Sequence, residues 1–278
     1  MNIKKKNILF NFENVSLFCI VICASVFDLI TLIFIVALIL VSYFNFGIES
    51  SFVDNQNTDL NSEKHGINEN KSSRLGGTII LFFIVINILI NEDINLIIND
   101  FEKLTFYIII IFFISFLGFA DDVLNGISYV VKLYFLLFSI VILIFTNNEF
   151  LITKSGVFFL DYFLSNYIIS FFITFFVISG FINASNMSDG ANGILSGIAF
   201  NFNLILFLYT NEIIFFIFFK FLLIFFLYNI LISNVFLGDT GSYFLGFLTS
   251  TTSLFFYNQN IISAGFFACI LSYPCLEI

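Results

Sequence analysis

Long, unbroken apolar runs dominate this chain and leave few folds open to it. They lie at Leu17–Phe44, Gly76–Ile90, Leu104–Ala120, Tyr129–Thr146, Tyr167–Ile182, Ile194–Tyr209, Ile213–Ile232, Tyr243–Tyr257 and Ile261–Cys275. Most approach the roughly 20 residues that carry a helix across a bilayer. In hydrocarbon every backbone N–H and C=O must be satisfied within the protein, so a spanning chain is either helical or a closed barrel. The runs lack the alternation of barrel strands. The reading is an all-α, polytopic helical membrane protein of about nine transmembrane helices, with no separate soluble domain.

Composition agrees. Of 278 residues, 60% are hydrophobic and only 10% charged, far from the balance of a soluble domain. Phe is abundant at 45 residues and Trp is absent. The Phe excess reads as compositional bias, and anchoring at the membrane surface falls to Tyr and Phe. Cys19, Cys23, Cys269 and Cys275 lie in apolar runs, with neither disulfide nor metal-ligand spacing. They read as small buried hydrophobes. A net charge of −9 argues against nucleic acid as a partner. It also opposes an anionic substrate unless a cation intervenes. The first run is longer than the core of a signal peptide and is kept as a span.

Counting crossings sorts the polar connections by side. Those after the first, third, fifth, seventh and ninth runs share one face, and they hold Lys71 and Arg74, Asp121 and Asp122, Asp189, Asp239 and Glu277. The other face carries the acidic linker Asn91–Lys103 and the connection Asn147–Asn166, where a short interfacial helix is expected around Val157–Leu164. Basic residues do not set the orientation: Lys64, Lys71, Arg74 and Lys132 lie on the motif face, and Lys4, Lys5, Lys6, Lys103 and Lys154 on the other. Lys220 falls inside the seventh run and is expected to snorkel. Asp28 falls inside the first, toward the end away from the motifs, and His65 sits in the polar connection Asn45–Arg74 with a surface role.

Three motifs on that shared face carry chemistry. Asp121-Asp122 closes an apolar helix where the helix dipole is already negative, a poor place for acids unless a cation or a reaction needs them. The alternative is a carboxylate pair that merely stops the helix. Asn183, Asn186 and Asp189 recur at three-residue spacing, which puts them on one helical face; a polar cap is the plain alternative. Gly238-Asp239-Thr240-Gly241-Ser242 reads as a glycine-rich turn whose N–H groups, with the following helix N-terminus, suit phosphate. Asp239 suits a hard divalent cation, and an ordinary turn is the alternative. Lys71, Arg74 and Lys132 add basic side chains, which could equally contact anionic lipid.

In order and spacing, these motifs resemble the polyprenyl-phosphate N-acetylhexosamine-1-phosphate transferases from about Lys71 onward. That group includes the muramoyl-pentapeptide transferase of peptidoglycan synthesis and the enzymes that prime O-antigen and teichoic acid glycans. The resemblance implies a transferase at the cytoplasmic face of the inner (plasma) membrane. It would pass an N-acetylhexosamine-1-phosphate from a UDP-sugar to a polyprenyl phosphate, releasing UMP, with Mg²⁺ or Mn²⁺ required. It further implies that Asp239 binds the metal and that Asp121 and Asp122 form the catalytic pair. The first of that pair would deprotonate or position the lipid phosphate. Asn183, Asn186, Asp189, Asn192 and Gly238 fall at substrate-binding positions, Phe236 where an aromatic stacks on uracil, and Lys71, Arg74 and Lys132 where bases meet phosphate. A homodimer is a further expectation of the same kind.

Departures from the family pattern are visible. Asn192 stands where many members have Asp, and the Pro usual before Gly76-Gly77 is missing. The sequence is read as a single integral-membrane transferase domain, 1–278, truncated at its C-terminus before the family's His-rich loop. That departure keeps an inactive assembly partner as a rival reading. A cation-coupled transporter using Asp121, Asp189 and Asp239 is a second rival, disfavoured because transporter sites lie near the bilayer midplane. The shorter loops point to the glycan-priming members.

Overall fold

The computed structural model describes residues 28–44, 73–90, 101–124, 126–189, 193–232 and 235–276. These residues form ten α-helices: α1 Leu29–Phe44, α2 Gly76–Ile90, α3 Phe101–Leu124, α4 Tyr129–Thr146, α5 Phe158–Leu164, α6 Tyr167–Ser188, α7 Ile194–Thr210, α8 Ile213–Ile232, α9 Gly238–Asn258 and α10 Ala264–Leu276. A short 3₁₀ turn, Asn148–Phe150, follows α4. Among the described residues the only strand-like pairing is an isolated parallel bridge between Ser73 and Val235.

Among the described residues, four helices are long and apolar enough to cross a membrane: the stretch Glu102–Leu124 in α3, then α4, α6 and α8. Leu29–Tyr43, Gly76–Ile90 and Ile194–Thr210 are shorter apolar helices. The chain is a helical membrane protein. Helices α2, α4 and α8 have the bounds their apolar runs predict. Helices α3 and α6 run on through Asp121-Asp122 and through Asn183–Ser188, and Asp121, Asp122 and Asn186 find partners on neighbouring elements there. Helix α5 lies where the interfacial helix is expected.

Helix α9 is the axis of the bundle. It packs on α2, α3 and α6, with further contacts to α7 and α10, and every residue from Thr240 to Phe256 is buried. Several of its hydroxyls bond inside the protein, as a dry interior favours, although the buried Ser253 hydroxyl has no partner among the described residues. Ser250 Oγ donates to Gly246 O at 2.8 Å, and Thr251 Oγ1 to Phe247 O at 2.7 Å. Tyr107 of α3 meets the Thr251 hydroxyl at 2.8 Å. Helices α7 and α8 form an antiparallel pair beside this core.

Lys220 does not snorkel. It is buried within α8 and its Nζ donates to both oxygens of Asp28, at 3.0 and 3.2 Å. A charge held inside the bundle needs such a counterion, so the pair joins α8 to the start of α1. At the end away from the motifs, Asn258 Nδ2 donates to Glu149 O at 2.6 Å and Leu151 O at 2.9 Å, and the Tyr257 hydroxyl donates to Lys154 O at 3.0 Å.

Glycines let three helices meet. A methyl added at Gly77 would come within 3.0 Å of the Gly241 backbone, and one at Gly118 within 3.0 Å of the Asp239 carbonyl. At Gly180 it would meet nothing within 4 Å. Gly77→Ala or Gly118→Ala is expected to cost about 1–3 kcal/mol by overpacking, while Gly180→Ala is neutral or gains up to ~1 kcal/mol. Thermal unfolding followed by circular dichroism in detergent checks this; a Gly77→Ala variant as stable as Gly180→Ala contradicts it.

Candidate functional site

The segments before α2 and α9 run side by side. Phe236 N donates to Ser73 O at 2.7 Å, Gly76 N to Phe236 O at 2.9 Å, and Gly77 N to Leu237 O at 2.7 Å. Asn229 Nδ2 steadies the same segment through Val235 O at 2.7 Å. This zipper brings Arg74 beside Gly238, which enters α9 with φ +74°; a methyl at Gly238 would collide with the Arg74 carbonyl. Glycine is required there for both reasons.

Gly238-Asp239-Thr240 forms the first turn of α9 rather than a loop before it. Its orphan N–H groups are already filled by carboxylates from two other helices. Gly238 N–H donates to Asp189 at the end of α6. Asp239 N donates to Asp122 Oδ1 at 3.0 Å, and Thr240 N to Asp122 Oδ2 at 3.0 Å. The Thr240 hydroxyl adds a bond of 2.9 Å to the same Oδ2. These donors therefore do not form the open phosphate cradle that the glycine-rich motif suggests on its own.

Asp121 points elsewhere. It is ion-paired with Lys132 of α4, accepts from Ile127 N, and lies in hydrogen-bond contact with Asp239. Lys132 Nζ lies 6.0 Å from the centre of the Tyr243 ring. Asp121 is 2% exposed and Asp122 1%, whereas Asp239 is half-buried. Asn186 turns in from α6 and accepts from the Ser242 hydroxyl at 2.7 Å. Asn183, on the same predicted face, is exposed. The ring of Phe236 is half-buried. Lys71 and Asn192 lie outside the described residues.

The structure thus brings Arg74, Asp121, Asp122, Lys132, Asn186, Asp189, Phe236, Gly238 and Asp239 to one end of the bundle. Two contributors outside the sequence motifs are Asn229 and Tyr243, and Thr240 acts through its hydroxyl, a part the glycine-rich motif did not assign it. Asn229 carried a signal, since an amide inside an apolar run needs a buried partner.

Among the described residues, no three acidic, imidazole or thiol side chains close on one point. Asp121 and Asp239 converge as a pair, and one or two carboxylates are what Mg²⁺ takes when substrate phosphates supply further ligands. Burial raises the Asp239 carboxyl to about 7, helped by its contact with Asp121 and by the charges of Asp122 and Asp121, against the pull of Lys132. Asp189 is held well above the usual carboxylate range by burial, then by the charges of Asp239 and Asp122. The negative charge is thus only partly compensated by protein groups, which is the situation a divalent cation relieves.

A carboxyl whose folded pKa exceeds its unfolded value of about 4 holds its proton more tightly when folded. The stability this adds is complete below the unfolded pKa and is lost as pH rises through the folded one. For Asp239 that window runs from about 4 to about 7. Without divalent cations the protein should unfold at a lower temperature near pH 8 than near pH 5, and Mg²⁺ should raise Tm more at the higher pH. An equal Mg²⁺ effect at both values contradicts this.

The model of glycosyl transferase family 4 matches residues 104–257, over half the chain, from α3 to the end of α9. That stretch contains Asp121, Asp122, Lys132, Asn186, Asp189 and Asp239. A search of curated proteins gives no match. With its membrane-type helices and converging motifs, the chain belongs to glycosyl transferase family 4, whose members transfer a phosphosugar to a polyprenyl phosphate.

Proposed function

We propose that this protein transfers an N-acetylhexosamine-1-phosphate from its UDP-sugar to undecaprenyl phosphate at the cytoplasmic face of the plasma membrane, releasing UMP. The observation that carries the reading is the Asp121–Asp239 pair beside Lys132, set at a bundle end where a lipid headgroup and a soluble nucleotide can meet. An oxygen of the lipid phosphate attacks the β-phosphorus of the UDP-sugar. The bond from that phosphorus to the oxygen shared with the α-phosphate breaks, and UMP leaves with that oxygen. The lipid product is a polyprenyl-diphospho-sugar, the start of an envelope glycan such as an O-antigen.

Such a phosphate is largely dianionic at neutral pH, its second pKa being about 6. The protein's task is therefore positioning and charge compensation more than proton removal. Two anionic substrates beside an acidic cluster repel it and each other. Mg²⁺ or Mn²⁺ held by Asp239, with Asp121 behind it, would offset that charge and polarise the diphosphate. Lys132 holds the Asp121 carboxylate in place. Arg74 and Lys71 supply positive charge for phosphate. Asn186, Asp189 and Asn192 are assigned to the nucleotide, with Phe236 as the ring for uracil.

Purified protein given undecaprenyl phosphate, Mg²⁺ and a panel of UDP-N-acetylhexosamines is expected to release UMP with one or a few of them. Asp239→Asn should lower that rate about 100-fold or more, the scale seen when a charge-stabilising group is removed. EDTA should abolish it. UMP release that persists in Asp239→Asn or in EDTA counts against the assignment.

A further inference from the structure

We propose that Asp122 is a positioning residue, which caps helix α9 from a different helix and so fixes Asp239, rather than a group that reacts with the substrates. A helix start leaves N–H groups without partners. They are usually served by a Ser, Thr, Asp or Asn at the N-cap, whose oxygen reaches the second and third helical N–H groups. Here Leu237 occupies the N-cap and makes no side-chain bond. Helix α9 starts at the bundle end, but Gly238 and Thr240 on either side of Asp239 are buried, so the protein itself takes that part.

Asp122 fills the gap. Its carboxylate reaches the N–H groups of Asp239 and Thr240, the second and third residues of the helix, and also the Thr240 hydroxyl. The two helices are separated by 117 residues at this contact. Three of the roughly four acceptor positions of a carboxylate are thereby used. With 1% exposure, Asp122 presents no surface to a substrate oxygen. The geometry around it is shaped for this role. Gly238 has a left-handed backbone, and an added methyl there would press on Asp122 Oδ2 at 3.0 Å. The α9 dipole places positive potential where the carboxylate sits.

Adjacent acids thus divide the work. Asp121 faces Lys132 and Asp239, and Asp122 faces the α9 backbone. Losing Asp122 shifts Asp239 without removing it. The kinetic consequence rests on the proposed function; the cap itself does not.

Amide hydrogen exchange on the full chain in detergent, read over residues 238–242, compares the wild type with Asp122→Asn and Thr240→Val. Asparagine keeps one acceptor and turns a donor toward α9. The Asp239 and Thr240 amides should exchange about tenfold faster or more in Asp122→Asn, the scale of hydrogen bonds lost to a charged group, with α7 and α8 unchanged. UMP release should fall, and raised Mg²⁺ should recover part of it. Unchanged exchange at both amides, with UMP release lost at every Mg²⁺ concentration, overturns the proposal and makes Asp122 a reacting group. Thr240→Val removes one bond of the three and should raise exchange at the same amides several-fold. If Asp122→Asn does not fold, this variant decides: no change in it also overturns the cap. Wild-type protein that releases no UMP would sink the functional reading, and the exchange comparison would still decide the cap.

Discussion

The start of α9 is the point on which the rest of the structure depends. A helix whose first turn is packed against other helices must find partners for its first N–H groups inside the protein. It finds them in Asp189 from α6 and Asp122 from α3. The Ser73–Gly77 segment fastens alongside through backbone bonds. Satisfying one helix end therefore gathers the ends of α3 and α6 with the starts of α2 and α9, and the site is what lies between them. Glycines at 76, 77, 118, 238 and 241 permit the approach, since a side chain at each would collide with a neighbouring segment.

The same arrangement sorts the acids by their electrostatics. Asp122 and Asp189 face backbone donors at a helix N-terminus, which offset only part of the cost of burying their charge. Asp121 and Asp239 touch each other, with Lys132 as the cation paired to Asp121. Carboxylates in contact cannot both stay charged cheaply in a buried place. On the proposed function, a cation would suit the pair Asp121–Asp239 for that reason, and anionic substrates would become acceptable neighbours beside it. One small cluster of like charge thus holds the helix ends together and, on the proposed function, carries the chemistry.

Much of this was legible in the sequence. The bounds of α2, α4 and α8 follow directly from apolar runs, because lipid rewards unbroken apolar surface. Counting crossings put the motifs on one face, and the contacts among Ser73, Asp122, Lys132, Asn186 and Asp239 join them there. Other features depend on partners far away in the chain. The glycine-rich motif looked like a phosphate cradle because local pattern cannot reveal that Asp122 already occupies its N–H groups. Helix α9 reads as a modest span, yet it is the most enclosed of the described helices, and Ser250 and Thr251 are tolerated there because their hydroxyls bond back to its own carbonyls. Lys220 looked like a snorkelling side chain until Asp28 supplied its counterion. The Asn183–Asn186–Asp189 spacing gave the right helical face, but only Asn186 and Asp189 have partners on α9.

The most direct test of this account is the position of a bound Mn²⁺ ion, located by anomalous diffraction from crystals of the protein with its UDP-sugar. The ion is expected on the carboxylate of Asp239, on the side facing Asp121, with Asp122 still bonded to the amides of Asp239 and Thr240. An ion ligated by Asp122, or bound away from Asp239, would contradict it.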